Sequence, residues 1–185
     1  MQPFSVLLTV TSACILSCLS CQYAETATLD TFNDTPIESA ILATSRANQA
    51  ASIDIELVVN GKPARAHGAG ECQHEPNASI YNALASLWRV EYSDPKGEQI
   101  RRLSLTVWQL KSGGPNQLSL ALESGSNSHR IATVKGGKLI GTGTVMLQPQ
   151  QSGGRFEVKG TDERGATIEA TIFCPTFTNI VAEGG

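Results

Sequence analysis

The chain has 185 residues, 41% hydrophobic and 17% charged, with a formal net charge of -3. That length and apolar share exclude a wholly disordered chain and leave room for one core. The near balance of charge excludes the broad basic footprint that neutralises nucleic-acid phosphates, so no nucleic-acid partner is expected. All 17 Gly lie at or after Gly61, and three of the five Cys lie at or before Cys21, so the chain divides into unlike parts.

Residues 1–24 contain no Asp, Glu, Lys or Arg, and Phe4 to Leu16 is mostly apolar. That run has the length of a signal h-region and falls short of the roughly 20 residues a spanning helix needs. Its positive charge comes from the Met1 amine alone, a departure from the usual Lys or Arg. A buried core helix is the competing reading. Small residues and cysteines follow the run, which favours an export signal. Ile15-Leu16-Ser17-Cys18 and Cys18-Leu19-Ser20-Cys21 both resemble the box that precedes the lipid-bearing cysteine of a bacterial lipoprotein. Cleavage before Cys21 leaves Cys72 and Cys174 free to pair; cleavage before Cys18 leaves an odd thiol. A plain cut after Ala24 also leaves an even pair, with Gln22 poorly suited to its -3 position. Lipidation is the favoured expectation, at Cys21 ahead of Cys18, giving a membrane-anchored protein of the cell envelope rather than a membrane-spanning one.

Residues 25–52 read as a polar tether, and Ile37 to Ala51 as a weak helix in the competing reading. Removing Arg46 from the 14 basic residues and Glu25, Asp30, Asp34 and Glu38 from the 17 acidic ones leaves 13 of each from Ile53 onward. The net negative charge therefore belongs to the tether.

From Ile53 to the end at Gly185 the chain reads as one domain. Ile53, Ile55, Leu57 and Val59 alternate with Asp54 and Glu56, the pattern of a half-buried strand. Asn60-Gly61 is a hairpin turn signal, and a return strand is expected over Ala64 to Cys72. Leu103, Leu105 and Val107 alternate, as do Leu118, Leu120 and Leu122. Further runs span His129 to Val134, Lys138 to Ile140, Thr142 to Gln148, Arg155 to Gly160 and Ala166 to Cys174. Gly113-Gly114-Pro115, Gly125, Gly136-Gly137 and Gly153-Gly154 punctuate them. The expected fold is all-β, an antiparallel sandwich or partly open barrel of eight or nine strands. Pro76 to Trp88 breaks the pattern: Tyr81, Leu84, Leu87 and Trp88 fall near helical spacing, which suggests a short helix or crossing loop. Trp88 and Trp108 are expected as core or rim aromatics, with ligand stacking the minority reading.

Two thiols left in an exported protein should pair. Cys72 shares strand parity with Ala64, Ala66, Gly68 and Gly70, and Cys174 with Ile168, Ala170 and Ile172, so both should point inward. A Cys72–Cys174 bridge is expected, against two free buried thiols. VVNGKPARAHGAGEC and RFEVKGTDERGATIEATIFC resemble the first hairpin and the closing strands of the mycobacterial small lipoprotein antigens. Signal, polar stalk and compact domain occur in the same order. The resemblance implies an envelope-anchored, non-enzymatic β-sandwich.

The densest polar cluster is His67, Glu71, Cys72, His74 and Glu75, all residue types that ligate zinc or copper. Parity puts His67 with Arg65 and Glu71 on the face opposite Cys72, so neither metal nor cofactor is expected. A small-ligand site built from His67, His74 and Trp88 is the speculative candidate. No Gly-x-Ser-x-Gly elbow is present, and Ser128 and His129 are strand neighbours that point to opposite faces. His129 is expected to be solvated, Asp162-Glu163 to be a solvating turn, and Lys135-Gly136-Gly137-Lys138 a charged turn rather than an anion nest. Two functions follow. The first is a non-enzymatic module that binds a protein, glycan or lipid. The second is a periplasmic ligand or metal binder, or a secreted enzyme, using the His67 to Glu75 turn. A cleft joining His67, His74 and Trp88 would favour the second.

Overall fold

The structure, a computed structural model, describes residues 51–180. The export segment with Cys18 and Cys21, and the tether as far as residue 50, lie outside the described residues. The strands in chain order are β1 (Ala51–Val59), β2 (Lys62–Ile80), β3 (Ala83–Ser93), β4 (Ile100–Leu110) and β5 (Gln117–Ser124). They continue with β6 (Asn127–Ala132), β7 (Thr142–Gln150), β8 (Gly153–Thr161), β9 (Thr167–Cys174) and β10 (Thr178–Asn179). The first strand thus begins two residues before Ile53. There is no helix among the described residues.

Nine strands make one antiparallel sheet in the order β6-β5-β4-β3-β2-β1-β9-β8-β7, and β10 pairs with β2 in parallel. The sheet curls until β7 lies against β5 and β6, which makes a nearly closed barrel. Alternation along each strand sends one face inward. Ile53, Ile55, Leu57, Val90, Leu103, Leu105, Val107, Leu118, Leu120, Leu122, Phe156, Val158, Ile168 and Ile172 fill the interior. These residues are β-branched, leucine or aromatic, so burying them supplies the apolar gain that holds the sheet closed.

Nine antiparallel strands impose a directional problem. Eight antiparallel steps separate β6 from β7, so these two edge strands run the same way. A parallel pair needs a crossover of about a dozen residues or more. The connection here is only residues 133–141, and it runs back down the seam. Ala132 and Ile140 exchange backbone hydrogen bonds of 2.8 and 2.9 Å, the single bridge in place of the strand expected over Lys138 to Ile140. Side chains do the rest. Ile131 of β6 fits a notch over the paired Gly143 and Gly160; an added Cβ there would stand 3.1 Å from Ile131 Cγ2 and 2.8 Å from its Cδ1. Asn116 Nδ2 donates to the Val145 carbonyl at 3.3 Å.

The hairpin expected at Asn60-Gly61 forms, with φ of 50° and 76°. The helix or crossing loop suggested over Pro76 to Trp88 does not. Instead β2 runs on to Ile80, and Tyr81 and Asn82, with φ of 44° and 66°, make a two-residue turn into β3. An irregularity between Glu75 and Ala78 accommodates Pro76, which has no N–H to give the ladder. The helical spacing marked no buried face: Tyr81 and Leu84 are exposed while Trp88 is buried. Gly153-Gly154 likewise opens β8, and the turn before it is Gln151-Ser152.

Cys72 and Cys174 form a disulfide with Cα atoms 6.0 Å apart. They lie on β2 and β9, the two neighbours of β1. β1 begins opposite Gly70, so the bridge joins its neighbours just beyond its start, where β10 takes up Gln73 and His74. The two cysteines are 102 residues apart in sequence, so the chain-entropy model gives roughly 4–5 kcal/mol. Replacing both with Ala is expected to lower the unfolding free energy in urea by up to about that amount, with the native strand content by circular dichroism retained.

Candidate functional site

One end of the barrel gathers the β1–β2 turn, the β3–β4 loop, the β5–β6 turn and the β8–β9 turn. Together they surround a solvent-open mouth of about 570 Å³. Ala64, on the inner face of β2, leaves the wall low on that side, and Lys62, Glu98, Gln99, Asn127 and Arg164 stand around it. Gln99 ties the loop down. Its side-chain carbonyl accepts from the Arg65 N–H at 3.0 Å, and its backbone carbonyl accepts from Ser124 Oγ at 2.8 Å.

His129 also lines this mouth. Its side chain is 7% exposed, and Nδ1 lies 2.8 Å from Oδ2 of Asp162, which is 1% exposed. The other oxygen of Asp162 accepts the N–H groups of Arg164 and Ala166 at 2.8 and 2.9 Å. Burial pushes the Asp162 carboxyl up, but the hydrogen bonds from His129 and the two N–H groups, with the His129 charge, outweigh it and hold its pKa below the ordinary value. An ionised carboxylate only accepts, so Nδ1 of His129 carries the proton and donates. Nε2 has no hydrogen-bond partner among the described residues. The Arg164 guanidinium reaches β6: its Nη2 donates to the Ser128 carbonyl and lies 3.6 Å from Asp162 Oδ2. The sequence reading placed His129 and Asp162 in solvent, and the structure corrects both. Asp162 closes the β8–β9 turn, and His129 is an inward residue of β6 at the barrel seam.

A second polar arrangement lies on the outer face. Ser52 and Asp54 are alternate residues of β1, and His67 of β2 sits directly opposite Asp54. Ser52 Oγ lies 3.0 Å from His67 Nε2, and His67 Nδ1 lies 2.6 Å from Asp54 Oδ1. The relay borders a shallow groove of about 770 Å³ lined by Asp54, Arg65, His67, Arg155 and Phe173. The His67 and Asp54 side chains are 70% and 56% exposed, so water competes for both bonds. The tether reading of residues 25–52 takes in Ser52 and so conceals this relay. Strand parity, once β1 is extended to Ala51, reveals it.

The candidate site of His67, His74 and Trp88 does not assemble. His67 points outward, as its parity with Arg65 and Glu71 required. His74 lies on the opposite parity and stacks on Trp88, with ring centroids 4.6 Å apart and planes 9° apart. Phe177 leans on His74 and meets Phe156 edge-on at 5.9 Å. Burial pushes the His74 pKa down, Glu75 opposes and Lys111 adds to the fall. His74 is thus a neutral ring in an aromatic plug that ends the core. Among the described residues no three His, Cys, Asp or Glu side chains converge as a metal site.

The described part is therefore an antiparallel meander barrel with a filled interior and an open polar mouth. A scan of protein-family models, a search of curated proteins and a search of solved structures each found no match.

The buried pair has a definite acid signature. Asp162 is held below its ordinary pKa of 3.8, so its contribution to stability is complete above that value and is lost as pH falls through the folded pKa. Asp162→Asn is expected to lower stability by about 1–3 kcal/mol at neutral pH, from the weakened buried hydrogen bonds. It should also flatten the loss of stability below about pH 4. Urea unfolding from pH 7 to pH 2.5 measures both.

Proposed function

We propose that this protein is an exported, lipid-anchored component of a bacterial cell envelope, and that it acts as a non-enzymatic binding module through the barrel mouth. The observation that carries the reading is His129, a buried side chain whose Nε2 has no hydrogen-bond partner among the described residues and lies at a solvent-open mouth. Solvent reaches this atom, whereas the buried unpaired side-chain atoms are His74 Nε2 and Arg155 Nε, so a ligand's polar group can reach it too. Apolar side chains fill the barrel interior among the described residues, which directs binding to the mouth. Lys62 is the basic contact on the rim for an anionic group, such as the carboxylate of an acidic glycan or side chain, while Glu98 shares the rim and Arg164 is taken up by Asp162 and the Ser128 carbonyl. The placement of His67 on the outer face, away from the stacked His74 and Trp88, further supports this reading over a ligand site at the His67 to Glu75 turn.

Titration of the isotope-labelled protein with glucuronate or acetate tests it. Shifts are expected at Ser124, Asn127 and His129, and Lys62→Glu should weaken the effect about tenfold or more, the loss of one charge-assisted contact. Shifts spread evenly over the surface, or none, would overturn the mouth as the binding site.

One observation favours the second reading, a secreted enzyme. The order Ser52–His67–Asp54 is that of a nucleophile, base and orienting carboxylate. With the binding-module reading, a panel of nitrophenyl esters shows no turnover above buffer. Turnover lost in both Ser52→Ala and His67→Ala would replace it with a hydrolase.

A further inference from the structure

The barrel is charge-sorted from end to end. The mouth connections carry Asp94, Glu98, Asp162 and Glu163 against Lys96 and Arg164. At the opposite end lie the connection between β2 and β3, residues 111–116, residues 133–139 and the Gln151-Ser152 turn. Those segments contain Lys111, Lys135 and Lys138 and no Asp or Glu. Three of the barrel's exposed large apolar side chains belong to the same end: Tyr81, Leu84 and Leu139, at 63%, 68% and 64% exposure.

These groups are joined. The Tyr81 ring lies over the turn between the two lysines; an added Cβ on Gly136 would stand 3.0 Å from Tyr81 Cγ, and one on Gly137 2.8 Å from its hydroxyl. The Lys111 N–H donates to the Leu84 carbonyl at 2.9 Å, and Leu139 directly follows Lys138. Small glycines thus let the hairpin tip and the lysine turn close on one another as one surface. Glu75 of β2 also lies near this end, where it and Lys111 both act on His74, and the lysines outnumber it. Apolar and aromatic side chains interspersed with an excess of lysines are the composition that settles on an anionic bilayer.

The chain's own path supplies the occupant. β1 runs toward the mouth, so its start at Ala51 lies on the side away from it. The 50 residues that precede the described part join there, with the candidate acyl cysteines at Cys18 and Cys21. We infer that the end of the barrel bearing Tyr81, Leu84, Leu139, Lys111, Lys135 and Lys138 docks on the anionic lipid surface in which the chain is anchored, turning the mouth away from the membrane. The inference rests on the proposed envelope anchoring and adds a second, reversible membrane contact to it. One acyl chain holds a protein only marginally, and a basic, apolar patch supplies the second attachment that makes residence stable.

The test uses the chain from Gln22 onward, which lacks both candidate acylation sites, so docking is read without the lipid. It is sedimented with vesicles of phosphatidylcholine alone and of phosphatidylcholine mixed with phosphatidylglycerol. Binding to the anionic vesicles is expected, falling as salt rises. Each lysine at an anionic surface contributes a factor of roughly five. Lys111 Nζ donates to Ser86 Oγ at 2.8 Å. Lys135→Gln with Lys138→Gln, which leaves that hydrogen bond intact, should therefore cost about 25-fold. Adding Lys111→Gln should raise the loss to on the order of a hundredfold, with thermal melting confirming that the barrel stays folded. Tyr81→Ser with Leu84→Ser should weaken the contact without changing its salt dependence. Lys96→Gln, in the β3–β4 connection at the mouth end, should leave binding unchanged. Equal binding to both vesicle types, or an equal loss from Lys96→Gln, would overturn the docking face. The mass of the mature N-terminus from cells reports separately on acylation, so either idea can fail alone.

Discussion

The odd number of strands is the constraint on which the rest of this barrel depends. A meander of nine antiparallel strands brings its two free edges together pointing the same way, and no ordinary hairpin can join them. The chain meets the constraint by returning through the seam itself, with a single backbone bridge at Ala132 and Ile140. The missing ladder is replaced by side chains: Ile131 set into the Gly143–Gly160 notch, Arg164 across to the Ser128 carbonyl, and the buried His129–Asp162 pair. The polar pair takes an inward position of β6, and it sits where the seam meets the mouth. Structure and candidate site share one origin.

The same meander sorts the connections between two ends. Turns after β1, β3, β5 and β8 fall at the mouth, and those after β2, β4, β6 and β7 fall opposite. Charges that look evenly mixed along the sequence, 13 of each sign from Ile53 onward, become unmixed once alternate connections are gathered. Acids collect in the β3–β4 and β8–β9 connections, and lysines in the β4–β5 and β6–β7 connections. A neutral domain thereby acquires a polarity along its axis, which total charge conceals and which an orienting surface can read.

Much of the fold was legible because inward and outward residues alternate strictly. Ile53 to Val59, Leu103 to Val107 and Leu118 to Leu122 announce their strands, and parity alone placed Cys72 and Cys174 inside and His67 outside. Failures occurred where a residue's fate depends on distant pairing. Pro76 to Trp88 carries helical spacing, but Trp88 is held by its neighbours Val107 and His74 in the sheet, and that tertiary demand outweighs local pattern. His129 and Asp162 are 33 residues apart and are polar types that usually face water. Only the curl of the sheet brings them together and removes them from solvent. Ser52 was hidden by a boundary drawn at the first apolar residue, although the strand begins at Ala51.

The disulfide gains meaning from the chain ends it secures. β1 and β9 pair across the sequence, Asp54 opposite Phe173, so the barrel closes only when the two ends of the domain meet. Such long-range pairing is slow to form and exposes edges until it does. Cys72 and Cys174 hold the strands on either side of β1, immediately beyond the point where the preceding chain enters. In an anchored protein any pull transmitted along the tether arrives at Ala51 and acts to peel β1 out from between β2 and β9. With those two neighbours covalently joined, β1 can be drawn but the walls of its slot cannot separate. The bridge is thus placed where a barrel closed by its own termini needs it, and under the proposed anchoring an oxidising envelope and a tethered chain would make the same demand.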